Sequence, residues 1–322
     1  MNNYSISKFQ LRKLSVLVLS AFVLIILTSQ SSIAQKAKKE KNPSPIILSL
    51  NAYSFNDLLM AREKRDNQQL YTFFNLLDWC ATQKIQAIDL TGYFFPTYPK
   101  VPSDEYIYKL KGRAKELGIA ISGTGIRNDF ASPNPAVRAA GVALAKEWIL
   151  VAEKLEAPVL RLFAGEIPKG YENRWDEVSG WMIESYKECA AFAEKHNVII
   201  GIQNHGDMLQ TAEQCIKVMK GVDSKWAGLI VDTGNFKTAD PYVDIEQVVP
   251  YAVNWQIKES AFGIGNEIPS DYKRIMEILK RQNYKGFLPV ETLLVRGKTY
   301  DPFALVPQML NDLKVARAAV YK

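Results

Sequence analysis

Between residues 46 and 320, short apolar runs alternate eight times with longer amphipathic stretches. The runs are apolar at nearly every position, which is typical of strands in a parallel sheet that is covered on both faces. The longer stretches have the apolar spacing of helices that bury one side. We predict strands at residues 46–51, 85–90, 119–123, 158–163, 198–203, 226–232, 253–258 and 287–291. We predict helices at residues 68–84, 103–117, 134–155, 172–195, 211–221, 244–249, 270–282 and 301–320.

Eight strand–helix units predict an α/β protein built as one closed barrel. The (β/α)8 or TIM barrel typically has about 250 residues, which suits the segment from residue 45 to residue 322. A doubly wound open sheet has the same alternation, but its ligands gather at one switch point. Polar residues here end strands two, four, five, six, seven and eight. We therefore favour the barrel over the open sheet.

The first 44 residues have a different composition from the rest of the chain. Three basic residues precede an apolar run of fifteen residues, Leu14 to Thr28, and the small residues Ser32 and Ala34 follow it. This order is typical of a secretory signal peptide, and the run is shorter than the roughly 20 residues that span a bilayer. We predict a signal peptide over residues 1–34, a Lys-rich tail over residues 35–44 and export to the periplasm or the medium.

The net charge of +6 lies in these first segments, because the leader contributes three positive charges and residues 35–41 contribute three more. The remaining chain is close to neutral. A nucleic-acid partner requires a clustered basic face, so we expect none. We also expect no stable membrane span after cleavage, and a small molecule as the partner of the barrel. The sequence does not indicate an oligomeric state.

Polar residues at the strand ends are the candidates for chemistry, because the active site of a barrel of this kind lies at the carboxyl ends of its strands. Alternate side chains of a strand point to opposite faces. Gln203 and His205 should therefore point together into the barrel mouth, with Asn204 on the other side. The same alternation places Gln256 and Lys258 in the mouth, and Glu291 ends the last strand.

Two carboxylates in a confined mouth repel each other unless a cation separates them. Asp232 and Glu291, with the side-chain carbonyls of Gln203 and Gln256, would supply four oxygen donors to a divalent metal. Oxygen donors favour Mn²⁺, Mg²⁺ or Ca²⁺ over Zn²⁺. The alternative without a metal is an ion pair of the two acids with Lys258 or Arg161.

Several of these segments together resemble the xylose isomerase-like barrels, the family of sugar phosphate isomerases and epimerases. The similar segments are VLRLFAG, IGIQNHGD, LIVDTGNF, NWQIKES and LPVETL, and the resemblance runs from Ile46 to the end. It implies a divalent metal held by a glutamate, an aspartate, a histidine and a glutamate on strands five to eight. The matching residues are Gln203, Asp232, Gln256 and Glu291, so two match and two depart. With the predicted leader, the departures indicate a secreted subgroup.

The resemblance implies an enzyme that abstracts a proton next to a sugar carbonyl, with a carboxylate on each face of the substrate. Gln203 cannot exchange a proton at neutral pH, which leaves Glu291 as the matched base. Lys258 matches the lysine that polarises a substrate oxygen, and either Lys258 or His205 would handle a second proton. We expect the substrate contacts to come from Asn51, Asp89, Arg161 and Asn204.

Three functions fit these residues. The first is a metal-dependent sugar isomerase or epimerase. The second is a lyase or hydratase that acts on a keto-sugar or keto-glycoside in the same mouth, because one base suffices for elimination. The third is a carbohydrate-binding barrel that has lost catalysis together with the glutamate and the histidine.

Overall fold

The computed structural model describes residues 45–62, 68–262, 268–293 and 299–321, and the predicted signal peptide and Lys-rich tail lie outside these ranges. Eight parallel strands form a closed barrel in chain order, from β1 to β8, which confirms the predicted (β/α)8 fold. The strands are β1 Ile46–Asn51, β2 Ala87–Thr91, β3 Ala120–Gly125, β4 Val159–Phe163, β5 Ile199–Gln203, β6 Ala227–Asp232, β7 Ala252–Lys258 and β8 Gly286–Glu291.

A helix follows each strand on the outside of the barrel. These helices are α1 Phe73–Thr82, α2 Asp104–Glu116, α3 Pro135–Leu155, α4 Trp175–Ala193, α5 Ala212–Val222, α6 Pro241–Val248, α7 Tyr272–Arg281 and α8 Pro302–Val320. A short helix, Asn56–Met60, precedes α1. Among the described residues, none of these helices is long and apolar enough to cross a bilayer.

Side-chain caps explain two helix starts that the prediction placed wrongly. Helix α1 begins at Phe73 rather than residue 68, because Thr72 and Asn75 form a reciprocal capping box. Helix α6 begins at Pro241 rather than residue 244, because the side chain of Asp240 accepts a hydrogen bond from the Tyr242 amide and proline fits the first helical turn. Strand lengths and positions agree with the prediction to within two residues.

The main core lies between the barrel and the helices. The outward residues of the strands are fully buried there, as Leu160, Leu162 and Trp255 illustrate. Burying one such side chain stabilises the fold by about 1.5–3 kcal/mol. Trp148 of α3 packs on Phe95 and donates its indole N–H to the Pro99 carbonyl. This packing holds the loop that follows β2 over the barrel wall.

The inside of the barrel is polar, and glycines on β3 give it space. The register between β2 and β3 shifts at Ile88 and Asp89. A Cβ atom on Gly123 would lie 2.5 Å from Asp89 Oδ2, and a Cβ atom on Gly125 would lie 2.6 Å from Arg161 Nε. Both charged side chains therefore occupy the volume that β3 leaves empty. Their positions depend on the absence of side chains at these two residues.

Candidate active site

A cavity of about 1060 Å³ opens at the carboxyl ends of the strands. Its walls contain every residue that the sequence predicted for the site except Asp89 and Asn204. The predicted residues that line it are Asn51, Arg161, Gln203, His205, Asp232, Gln256, Lys258 and Glu291. The alternation of side chains along β5 and β7 thus places the polar residues as predicted.

Lys258 joins the two acids of the mouth. It ends β7 beside Glu291, its register partner at the end of β8. Its ammonium donates a hydrogen bond to Glu291 Oε1 and lies 3.6 Å from Asp232 Oδ2. All three residues are buried. The geometry is that of the ion pair that we considered as the alternative to a metal.

Burial and charge act in opposite directions on this pair. Burial disfavours the charged form of Lys258, but Asp232 and Glu291 outweigh that effect and raise the pKa of Lys258, so it stays an ammonium. Burial raises the pKa of Glu291, and Lys258 opposes part of the rise. Glu291 is therefore a stronger base than an exposed glutamate. The Lys258 ammonium beside it is the hydrogen-bond donor of the pair.

The side-chain amides of Gln203 and Gln256 join Lys258, Asp232 and Glu291 in one cluster at the ends of β5 to β8. Gln203 Nε2 donates to Asp232 Oδ2 at 2.9 Å and to Gln256 Oε1 at 2.5 Å. Gln203 is 1% exposed, and its carbonyl oxygen Oε1 is buried with no hydrogen-bond partner among the described residues. A buried acceptor without a donor is costly. This oxygen is therefore available to a hydroxyl group of a ligand.

Asn204 is not among the residues that line the cavity, because its side chain binds the backbone of Asp232. Its side chain accepts a hydrogen bond from the Asp232 amide at 2.7 Å and donates to the Asp232 carbonyl at 3.1 Å. Asn204 points away from the mouth because it alternates with Gln203. It positions Asp232, whose Oδ1 also accepts from the Gly234 amide at 3.0 Å.

Arg161 is a buried guanidinium on the opposite side of the mouth. It is 2% exposed, and no carboxylate of the described residues lies within ion-pair distance. Its Nη2 donates to the Tyr93 hydroxyl at 3.3 Å, and the group packs 4.0 Å from the Phe163 ring centroid. Its Nη1 has no partner among the described residues. This free N–H group suits an oxygen of a ligand.

Asp89, predicted as a substrate contact, is not among the residues that line the cavity. It packs against Gly123 and is 3% exposed. Burial raises its pKa to about 7, Arg161 opposes the rise, and Glu291 adds to it. Asn51 does line the cavity. Its side-chain oxygen Oδ1 accepts hydrogen bonds from the Tyr53 backbone amide and the Thr91 hydroxyl.

His205 lies at the rim, where its imidazole packs against Phe163 with 4.8 Å between ring centroids. The residue is exposed to solvent in the mouth. The partial loss of water around the imidazole nevertheless lowers its pKa, and the negative charge of Asp232 opposes this shift. The imidazole is therefore neutral at pH 7 and able to accept a proton. It stands near the cluster without a side-chain hydrogen bond to it among the described residues.

The sequence analysis missed cavity residues that come from loops and from α8. Arg127 stacks on the Tyr93 ring at 4.4 Å, and Lys237 donates to the Phe262 carbonyl at 2.7 Å. Glu259, Tyr300 and Asp312 also line the cavity. Only Glu259 carried a signal, because it follows Lys258 directly. Arg127, Lys237 and Tyr300 belong to segments without a periodic pattern, and the pattern of α8 did not indicate that Asp312 reaches the cavity.

The four predicted metal ligands lie close together, but they do not fit a divalent cation in this arrangement. Only Asp232 and Glu291 carry charge, and the Lys258 ammonium lies between them. Gln203 turns its N–H group, not its oxygen, toward Asp232 and Gln256. A divalent ion would have to displace the ammonium and rotate the amide. We therefore derive no chemical step through a metal.

Comparisons with known proteins agree with this fold. A model of the xylose isomerase-like TIM barrel family matches residues 77–307. An L-ribulose 3-epimerase structure matches with a TM-score of 0.67 and 16% identity, over 85% of this chain and 95% of that one. D-Psicose 3-epimerase from Clostridium cellulolyticum H10 matches with a TM-score of 0.65 and 16% identity, over 84% and 99%. Inosose dehydratase of Clostridium tetani is 24% identical over 180 residues, which cover 48% of this chain and 58% of the dehydratase.

Proposed function

Since this chain belongs to the xylose isomerase-like TIM barrel family, we propose that it is a carbohydrate isomerase or epimerase that moves a proton on the carbon next to a carbonyl. The observation that carries the proposal is the buried pair of Glu291 and Lys258 in the wall of the cavity. A base and a proton donor side by side are what enolisation requires. The two epimerases of similar fold support the same reaction class.

In the proposed reaction, the Glu291 carboxylate removes the proton from the carbon beside the carbonyl, and the electron pair moves onto the carbonyl oxygen. Lys258 has three N–H donors, of which one binds Glu291. The remaining donors face Asp232 and the cavity, where one can stabilise the developing oxyanion. In an isomerisation, the protonated Glu291 returns its proton to the neighbouring carbon of the enediolate. In an epimerisation, water in the cavity supplies the proton on the opposite face, and Glu291 releases its own proton to solvent.

The remaining wall residues bind and orient the sugar. The free Nη1 of Arg161 donates to a substrate oxygen, and the free Oε1 of Gln203 accepts from a hydroxyl group. His205 is the neutral group at the rim that can accept a hydroxyl proton of the substrate as the carbonyl moves. Asn51 adds a polar contact from β1. A metal bound here would polarise the carbonyl, but the donor set leaves that task to Lys258.

A keto-sugar lyase or dehydratase is the second candidate. Gln203 stands where the family places its second acid–base glutamate, and an amide cannot transfer a proton. Elimination needs only one such group, because Glu291 can take the proton from carbon and return it to the departing hydroxyl as water leaves. The partial similarity to inosose dehydratase favours this reading. The third reading, a non-catalytic binding barrel, has no such observation in its favour.

Proton exchange in D₂O tests the proposal. We expect the wild-type chain, incubated with a panel of ketoses and keto-glycosides, to incorporate deuterium at the carbon next to the carbonyl of its substrate. Glu291→Gln should abolish this incorporation, while Glu259→Gln, a cavity carboxylate outside the cluster, should retain it. Products that keep every oxygen indicate isomerisation, and products that have lost one water indicate the lyase. Full exchange in Glu291→Gln would refute the assignment of the base.

We also propose that the chain is exported and cleaved after Ala34. The basic residues, the apolar run and the small residues at the cleavage position support this. Mass spectrometry of protein expressed with its leader should then find Gln35 at the amino terminus. Retention of Met1 on protein outside the cytoplasm would contradict the proposal.

A further inference from the structure

The mouth contains two buried carboxylates that must be stabilised by positive charge. Asp232 and Glu291 are 2% and 5% exposed, so water screens neither of them well. Buried carboxylates are stable only with a close cation or with several hydrogen-bond donors. One residue, Lys258, contacts both of them. The ammonium therefore already occupies the position from which a cation would bind the two acids.

The amide of Gln203 strengthens this conclusion. Its Nε2 lies between two oxygens, one from Asp232 and one from Gln256, at 2.9 Å and 2.5 Å. Rotating the amide would bring three oxygens together without a proton among them, which is repulsive unless a cation enters. In the observed orientation, Gln203 acts as a donor to the acid and not as a ligand for a metal. Gln203, like Lys258, therefore stabilises the negative charge of Asp232.

A divalent ion would add charge to a buried cation. The Lys258 ammonium is held by two carboxylates and is shielded from water. Two like charges at a separation of a few ångströms in a buried site repel strongly. The carboxylates could bind a metal only if Lys258 withdrew or lost its proton. Lys258 donates a hydrogen bond to Glu291 and lies 3.6 Å from Asp232 Oδ2, so both acids hold the ammonium in place.

We propose that Lys258 replaces the divalent metal in this site, so that the folded protein neither binds nor needs one. The two acids hold the ammonium, the two glutamine amides close the cluster, and the ammonium supplies the electrophile that acts on the substrate oxygen. This inference deepens the proposed function, since it names the group that polarises the carbonyl. Metal binding can nevertheless be measured without any substrate, so each proposal can fail independently.

The first test is a metal titration of the wild-type chain, purified without chelator. We expect no stoichiometric Mn²⁺, Mg²⁺, Ca²⁺ or Zn²⁺ by elemental analysis. Its melting temperature should not change after EDTA treatment, and it should not rise with added Mn²⁺. A ligand that binds only the folded state must raise the midpoint. A rise that Asp232→Asn abolishes would overturn the proposal.

The second test removes the ammonium. Lys258→Met leaves both acids and both glutamine oxygens but no cation, so this variant should melt at a lower temperature than wild type and regain part of the loss when Mn²⁺ is added. Lys237→Met, which removes another lysine of the same cavity, is the matched control and should show no Mn²⁺ response. A Lys258→Met variant that folds but ignores Mn²⁺ would contradict the equivalence of ammonium and metal. If this variant does not fold, the wild-type titration decides alone.

Discussion

The two halves of the barrel mouth satisfy their charges in different ways. On the side of β5 to β8, acid, ammonium and amide groups bind one another, and each charge has a partner at hydrogen-bond distance. On the side of β1 to β4, Arg161 is buried without an ion-pair partner among the described residues and keeps one free N–H group. The first half is organised before a ligand arrives. The second half is completed by the ligand.

This difference assigns separate tasks to the two halves. A cluster whose charged groups all have partners is held in place, which suits groups that must transfer a proton at a fixed distance. A buried donor without a partner costs free energy in the empty protein, and a substrate oxygen repays that cost on binding. We therefore place the chemistry near Glu291 and much of the binding near Arg161. Variants in each half should change different parameters.

The largest expected effect comes from the half with the satisfied cluster. Glu291→Gln keeps the size of the side chain but removes the base, and a positioned base contributes about 10²–10⁴ in rate. We expect kcat to fall by that factor while KM changes little. Steady-state kinetics on the substrate found in the D₂O screen measure both constants, with Glu259→Gln as the control. A change confined to KM would move Glu291 from catalysis to binding.

The pH dependence of stability should reveal the buried acid beneath Arg161. The pKa of Asp89 is about 7 in the folded barrel, against 3.8 for an ordinary aspartate. The protonated form therefore favours the folded state, and this contribution is full below about pH 4 and disappears as the pH rises through 7. At about 1.4 kcal/mol for each unit, the loss is at most about 4 kcal/mol.

Urea unfolding at pH 5 and pH 8 tests this expectation. The wild-type free energy of unfolding should be smaller at pH 8, and Asp89→Asn, which stays neutral, should reduce the difference between the two conditions. Glu105→Gln changes an exposed acid of α2 and should leave the difference unchanged. An equal loss in wild type and Asp89→Asn would show that other groups cause it.

The fold and much of the site could be predicted from the sequence, because both depend on local patterns. Apolar runs closed by polar residues located the strands, and the alternation of side chains brought Gln203, Gln256 and Lys258 into one mouth. The partners of these residues could not be predicted, since hydrogen bonds across the barrel depend on distances between strands. The same limit explains why the sequence did not indicate that Asp89 packs against Gly123 or that Asn204 binds the backbone of β6.

Removing the unpaired charge of the other half should stabilise the protein. Arg161→Met keeps an unbranched but shorter side chain and replaces a buried guanidinium by an apolar group. Replacing a buried ion pair by well-packed apolar residues is often neutral or stabilising by about 1–4 kcal/mol, and Arg161 has no ion-pair partner among the described residues to offset its burial. We expect a higher free energy of unfolding, together with a higher KM for the substrate. Lys258→Met should have the opposite effect and lower the free energy of unfolding, because it leaves two buried acids without their cation. These opposite effects would show the contrast between the halves most directly.

The smallest expected effect tests how Arg161 is held. A Cβ atom on Gly125 would lie 2.6–2.9 Å from three atoms of the Arg161 side chain, so Gly125→Ala must push the guanidinium away from its position. Overpacking of this kind costs about 1–3 kcal/mol, and KM should rise as it does in Arg161→Met. Gly112→Ala on α2 is the control, because nothing lies within 4 Å of its Cβ position and alanine favours a helix.

The double variant Gly125→Ala/Arg161→Met tests whether the two residues act through each other. The flexible methionine relieves part of the clash, so the double variant should be more stable than the sum of the two single effects predicts. Such non-additivity is expected for residues in contact. Strict additivity would show that Gly125 acts on the barrel wall and not through Arg161.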